Sequence, residues 1–324
     1  MAQQTQNAAF AYDFEEPVRE LDERIDELRR RAAEEARDFS DAIKDLEKER
    51  DEKLEEIFSN LSAYQRIMLA RHPMRPQALD YAGLIFDDFM ELHGDRRFGD
   101  DKAIVTGLAR LSGRRIMLVA QQKGKEVSEK KERNFGMPEP EGYRKALHKM
   151  RLAEKFSIPV VCLIDTPGAA PSVGAEERGQ GMAIAENIFT MSGLRTPLLA
   201  VVVGEGCSGG ALGVGVVDRM GMMENAYFSV ISPEGCAAIL WKDRDKAPEA
   251  AQALRLTAPD MLDLGIADDI IDEPLGGAHR NPESAAEDLE EFLEQALDEL
   301  NDIPIEKLLE RRYKRYRDMG IYNS

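Results

Sequence analysis

Residues 204–215 read GEGCSGGALGVG and follow directly on the apolar run LLAVVV at 198–203. Earlier in the chain, residues 160–170 read VVCLIDTPGAA, again a short β-branched run that ends in small residues. Continuous apolar runs of this length mark strands buried on both faces of a parallel sheet. Small residues at a strand end let the backbone approach a ligand and present its own N–H groups. Two such turns at two strand ends point to one site.

The flanking sequence supports an α/β arrangement. Residues 103–111 and 115–121 alternate around a Ser112-Gly113 turn, a hairpin signature. Pro138 and Pro140 precede a predicted helix at 142–156, followed by a strand at 158–165, a helix at 176–191 and a strand at 197–203. That alternation implies parallel crossovers. After the glycine run come a small-residue helix, a strand at 227–231, and a helix opened by Ser232-Pro233-Glu234 that runs to Trp241. A strand near Ile270 and acidic C-terminal helices close the chain, and no internal repeat or low-complexity linker interrupts 80–275.

Towards the N-terminus, residues 18–72 contain neither glycine nor proline, and apolar positions step by threes and fours. One or two long amphipathic helices are expected there, packed on their own domain or on a neighbouring subunit. A free coiled coil is disfavoured because Arg50 interrupts the heptad. Pro73 and Pro76 mark a boundary, followed by a predicted helix at 79–92 and the turn-rich GDRRFGDD at 94–101.

A chain of 324 residues buries roughly 75% of its unfolded surface and needs no disulfide staples. Three cysteines, Cys162, Cys207 and Cys236, lie in apolar or glycine-rich contexts with no ligand spacing. They argue for a reducing, cytosolic compartment and against zinc in this chain. The sequence holds neither a secretory leader nor an apolar run near the roughly 20 residues that span a bilayer. Forty-three basic and 61 acidic residues give a formal charge of −18, which argues against nucleic acid as the primary partner. The basic patch RRYKRYR at 311–317 is a candidate contact for an acidic partner.

The glycine run fits three chemistries. Gly204, Gly206 and Gly209 satisfy GxGxxG, but Glu224 precedes the next strand and Glu234 lies beyond a proline, so the acid of a dinucleotide site is misplaced. Gly206 to Gly210 matches GxSxG, with Ser208 or Cys207 as nucleophile. None of the four histidines, His72, His93, His148 and His279, stands at a strand end as a catalytic base would. As an oxyanion hole the run needs no side chain, because Gly209 and Gly210 open a helix and their N–H groups lie at the positive end of its dipole. The plain structural reading is a glycine turn that permits close helix packing.

Taken in order, RHPMRPQALDY (71–81), DDKAIVTGLARL (100–111), RNFGMPEPEGYRKAL (133–147), IDTPGAAPSVGAEERGQ (164–180), GEGCSGGALGVG (204–215), SVISPEGCAAILWK (229–242) and EPLGGAHRNP (273–282) resemble one family. It is that of the alpha subunits of acetyl-CoA carboxylase carboxyltransferase, and the resemblance runs from about 14 to 316. It implies a crotonase/ClpP-like α/β spiral of βαβ units with an N-terminal helical arm and C-terminal helices. The expected parts are an arm at 1–72, a carboxyltransferase domain at 73–280, whose family limits extend from near 40 to near 295, and C-terminal helices at 281–324.

The resemblance also implies an activity. Carboxybiotin, tethered to the biotin carboxyl carrier protein and not to this chain, gives its carboxyl group to acetyl-CoA, forming malonyl-CoA for fatty acid synthesis. The implied partners are a beta subunit bearing a four-cysteine zinc ribbon, in an α2β2 assembly, the carrier protein, and a biotin carboxylase that uses ATP. The implied location is cytoplasmic, with zinc in the beta subunit only. By motif match, Gly209 and Gly210 supply the hole for the biotin ureido oxygen, Gly168 and Ala169 are facing backbone donors, and the beta subunit holds the thioester oxygen. Thr166, Pro167 and Arg178 are candidate substrate contacts, although capping charges at 176–178 fit equally well.

Where the family tends to read TPGAYPGVG and GEGGSGG, this chain has Ala170, Ser172 and Cys207. Ala170 in place of an aromatic alters packing near biotin, and Cys207 adds a side chain where glycine often sits. The alternative readings are a serine-type acyl hydrolase of the same superfamily and a noncatalytic assembly subunit.

Overall fold

In the computed structural model, which describes residues 12–320, the arm folds as helices α1 (Glu16–Glu35), α2 (Ser40–Phe58) and α3 (Ala63–Ala70). The arm's first residues, 1–11, lie outside the described residues, as do 321–324. Val18, Leu21 and Ile25 form the buried stripe of α1, the i, i+3, i+7 spacing of one helical face. Arg50, the residue that breaks the heptad, reaches Asp22 across the α1–α2 hairpin (3.7 Å). Of the two packings expected for the arm, the chain's own body receives it. Val18, Leu54, Phe58 and Leu69 hold the arm's helices together, while Ile67 and Ala70 share a buried cluster with Cys207, Tyr227 and Leu256 of the body, and Arg280 pairs with Asp22 (2.6 Å).

The helix expected at 79–92 is cut short: α4 covers Ala78–Ile85, and β1 follows at Asp87–Glu91. Asp88 lies at φ +51°, and β1 pairs antiparallel with β2 (Ile104–Leu111) across a register shift. The apolar spacing ran on through a short edge strand. The hairpin from β2 to β3 (Arg114–Gln121) forms as expected, with Leu111 opposite Arg114. Ser112 and Gly113 both take positive φ, the turn that suits the twist of paired strands.

Then come α5 (Val127–Glu132), α6 (Pro140–Lys155), β4 (Val160–Thr166), α7 (Val173–Glu177), α8 (Gln180–Gly193), β5 (Leu198–Cys207) and the single-turn α9 (Ser208–Leu212). Beyond it lie β6 (Arg219–Met223), β7 (Tyr227–Ser229), α10 (Pro233–Leu240), α11 (Ala247–Leu254), α12 (Ala258–Asp263), β8 (Asp269–Ile271), α13 (Pro282–Asn301) and α14 (Ile305–Asp318). Strands β3, β4, β5, β6 and β8 run parallel side by side. Every residue of β4 and β5 is buried, which is why both read as unbroken apolar runs.

Two features of the sheet shape the site. The outer edge of β5 is shared: residues 199–202 pair with β6, whereas Glu205, Gly206 and Cys207 pair with β7. The upper end of β5 is thereby enclosed on both sides. At the other end of the chain, α13 buries Leu289, Leu293 and Leu297 in the main core. From α14, the fully buried Arg312 pairs with Asp218 (2.6 Å) and donates to the carbonyls of Met191, Leu194 and Thr196.

Candidate active site at two strand ends

Gly209 and Gly210 occupy the first turn of α9, where backbone N–H groups have no partner within the helix. A capping side chain usually takes them. Here the N-cap residue is Cys207, which makes no capping bond; its sulfur lies against Tyr227 Oη (3.5 Å). Ser172 and Ser232, by contrast, cap α7 and α10. Among the described residues none accepts a hydrogen bond from Gly209 or Gly210 N–H, so both donors remain available.

The turn after β4 lies directly against this one. A Cβ on Gly210 would sit 2.6 Å from the Gly168 carbonyl carbon and 2.7 Å from Ala169 N. Only glycine permits that approach. The structure thus brings Gly168, Ala169, Gly209 and Gly210 together, but the two donors of the β4 turn differ. Gly168 N–H donates to Thr166 Oγ1 (3.1 Å), so its expected role as a facing donor conflicts with an internal bond. Ala169 N–H has no acceptor among the described residues.

Thr166 is wholly buried and its hydroxyl also contacts the Gly136 carbonyl (2.6 Å). It holds the turn together and offers no surface to a substrate, contrary to expectation. Pro167 is exposed beside it. Arg178 is half-buried. It is bonded to Glu139 and to Glu141 (2.9 Å) and lies over the Phe98 ring. Its charge is spent on carboxylates that sequence spacing does not reveal.

Beneath the two turns lies a buried charged network. Lys123 Nζ contacts Asp165 (2.7 Å) and Glu205 (3.3 Å); Glu205 also accepts from Arg71 (2.7 Å) and Tyr227 (2.6 Å). Burial alone would raise the Glu205 carboxyl, but Lys123 and Arg71 hold it down at about 2. Burial pushes the Asp165 carboxyl up, although Lys123 opposes this. Arg71, Lys123, Asp165 and Glu205, with Gln77 and Phe135, line a cavity of about 200 Å³. Sequence reading missed the network. Its signal was present in two carboxylates, Asp165 and Glu205, standing at the ends of otherwise apolar strands.

The nucleophile elbow has the backbone but not the base. Ser208 is exposed and strained at φ +56°, yet no histidine bonds to it. His93 contacts Asp100, while His72 stacks on His279 with ring centres 3.9 Å apart. Burial pushes the Cys207 thiol up to about 11, which leaves it protonated and unreactive at neutral pH. Glu15, His72 and His279 place three ligand-type atoms within 4.8 Å of one another. The two rings stack, His72 Nδ1 accepts the Met74 N–H (3.1 Å) and His279 Nε2 lies 3.1 Å from Glu15. In the basic patch, Arg312 is buried and Arg315 is bonded to Asp268, leaving Arg311, Lys314 and Arg317 exposed.

Open backbone donors at the end of a parallel strand, with a second small-residue turn pressed against them, suit an oxyanion that develops during reaction. Comparison with known proteins shows the family. A family model described as acetyl co-enzyme A carboxylase carboxyltransferase-like matches residues 11–320. The acetyl-coenzyme A carboxylase carboxyl transferase subunit alpha of Methylococcus capsulatus is 53% identical over 312 residues, covering 96% of this chain and 97% of the relative. The protein of the same name from Fusobacterium nucleatum is 50% identical over 310 residues, covering 96% and 99%.

Among solved structures, a transcarboxylase 12S with methylmalonyl-coenzyme A bound is 25% identical with a TM-score of 0.53, over 68% of this chain and 42% of that one. A Pseudomonas malonate decarboxylase hetero-tetramer in complex with coenzyme A shares the fold at 16% identity and a TM-score of 0.55, over 68% and 89%. The fold is crotonase-like, as the motif series implied. Matched from residue 11 to 320 and half identical to relatives over nearly its whole length, the chain belongs to the family of acetyl-CoA carboxylase carboxyltransferase alpha subunits.

Proposed function

We propose that this chain, together with a beta subunit, transfers the carboxyl group of carboxybiotin to acetyl-CoA to give malonyl-CoA. The observation that carries the proposal is the pair of open N–H groups at Gly209 and Gly210, pressed against the Ala169 turn. Carboxybiotin, delivered on its carrier protein, supplies the carboxyl group, and negative charge develops on its ureido oxygen as that group leaves. Gly209 and Gly210 N–H meet this charge. The α9 backbone is fixed before the reaction, so the donors need no reorganisation at that moment. Ala169 N–H is the remaining donor on the facing side.

Nothing in the described site provides an acid or base beside Ser208, and the proposed chemistry asks for none from this chain: the ureido anion left on biotin takes the methyl proton of acetyl-CoA, and the resulting thioester enolate captures the released CO2. The thioester oxygen is assigned to the beta subunit, which also carries the zinc. Biotin carboxylase, using ATP, recharges the carrier. We further propose that the arm at 1–72 serves assembly beside a catalytic body at 73–280, that the C-terminal helices at 281–324 complete that body's core, and that the complex works in the cytoplasm. Among the described residues no helix is long and apolar enough to cross a membrane.

The test is malonyl-CoA formation from acetyl-CoA and carboxybiotin on its carrier, with and without a carboxyltransferase beta subunit. Product is expected only when both subunits are present. Turnover by this chain alone, or no turnover by the assembled pair, would overturn the reading.

A further inference from the structure

Near the ends of the three central strands, side chains take over bonds that backbone groups make elsewhere in the ladders. The β3–β4 ladder runs to Ala120 opposite Leu163. One step further, the Asp165 N–H donates to the side-chain oxygen of Gln121 (3.2 Å). Between β4 and β5 the register shifts after Ile164, and there the Asp165 carboxylate accepts the Glu205 N–H (2.9 Å). Both substitutions fall immediately before the turns that form the site.

Gln121 does a second thing with its other end. Its Nε2 donates to the Gly210 carbonyl (2.8 Å). That carbonyl is left out of the local backbone pattern: Gly213 N–H goes to Gly209 O, Val214 N–H to Ala211 O, and Gly215 N–H to Leu212 O. Apart from Gln121, its only partner among the described residues is Tyr143 Oη, at the longer distance of 3.3 Å. Gln121 and Tyr143 are both wholly buried. A buried amide with both ends satisfied is costly to disturb, because either partner would be left unpaired.

We propose that Gln121 is a positioning residue for the oxyanion hole. One planar amide holds the backbone where β4 turns and the backbone of the open helix turn at a fixed separation, and so aims the Gly209 and Gly210 donors. Gln121 touches no reacting atom. Its effect passes through the Gly210 peptide, to which its amide is bonded at 2.8 Å. This inference rests on the function proposed above.

The experiment uses the chain assembled with a beta subunit and measures turnover and the KM for acetyl-CoA. Gln121→Met keeps length and lacks both hydrogen-bonding ends. Gln121→Glu keeps an acceptor for Asp165 N–H but sets an oxygen against the Gly210 carbonyl. A donor misplaced by about 1 Å costs on the order of a hundredfold, so turnover is expected to fall about ten- to a hundredfold in both variants. The KM for acetyl-CoA should stay within about twofold, the pattern of an interaction made only in the transition state.

If Gln121→Met fails to fold, Gln121→Glu carries the test, with Tyr143→Phe, which leaves the Gln121 bridge in place, expected to lower turnover no more than about two- to threefold. Product from the unaltered complex with undiminished turnover in folded Gln121→Met, or in folded Gln121→Glu where that variant stands in, overturns the role of Gln121 alone. Loss of assembly at unchanged turnover per assembled complex does the same. No product from a folded, assembled, unaltered complex overturns the proposed function, and the positioning role falls with it.

Discussion

The turns after β4 and β5 begin alike and end differently. Each follows a fully buried parallel strand and consists of small residues. In the first, the Thr166 hydroxyl folds back and takes the Gly168 N–H, so the turn is closed on itself. In the second, the capping position is held by Cys207, whose sulfur lies towards Tyr227, and the helix start stays open. Availability of backbone donors is therefore set by the neighbouring side chain rather than by glycine content. A threonine or serine within reach uses up the donor; a buried thiol leaves it free.

The comparison breaks most sharply at Gly209. Gly209→Pro removes one open N–H, and such a loss typically costs about 10²–10³ in turnover. Gly209→Ala is the control, since a Cβ there meets only Ile184 at an ordinary 3.5 Å. Turnover assays beside melting curves should show the proline variant folded and slow, and the alanine variant near normal. Equal activity of the two would remove the donor role.

Gly210→Ala attacks the contact between the turns instead. Its methyl group overlaps Gly168 and Ala169, so overpacking should lower stability by about 1–3 kcal/mol, and displaced donors should lower turnover on the order of a hundredfold. Thr166→Val opens the closed turn. Buried partners left unsatisfied cost about 1–3 kcal/mol each, visible in denaturant unfolding, with a smaller effect on turnover because the α9 donors are untouched.

The smallest effect is one of pH and vanishes near neutrality. Glu205 and Glu273 are held at about 2, although burial alone would raise both carboxyls; Lys123 and Arg71 act on Glu205, and Arg75 on Glu273. A depressed carboxyl contributes stability above its unfolded value, near 4.5, and loses it as pH falls towards 2. Unfolding followed from pH 7 to 3 should show no loss from these groups until about pH 4.5, then a decline. Glu205→Gln should flatten part of that decline.

Much of this was legible in the sequence, for identifiable reasons. The central strands announced themselves because burial on both faces demands unbroken apolar runs. Strand β1 did not: its DDFME is charged and mostly exposed at the sheet edge, and the apolar spacing of α4 ran into it. Strand β6 has only five residues, three of them methionine and one glycine, types with no strong strand preference. An open helix start was legible in GCSGG, which stood for three chemistries at once. Its supports could not, because Gln121, Tyr143, Lys123 and Arg71 come from other elements. Thr166 and Arg178 were assigned to substrate for the same reason: Gly136 and Glu141, their partners, lie 30 and 37 residues away.

Arg312 sets a boundary of another kind. Its guanidinium plugs a socket of Asp218 and three backbone carbonyls drawn from both sides of β5. A stop codon ahead of position 312 would leave that socket empty, with a buried carboxylate held by the Leu198 N–H alone and stripped of its counter-charge. Shortening this protein from the C-terminus should thus be tolerated up to α14's last turn and then fail abruptly, a practical limit for tags, fusions and proteolytic trimming alike.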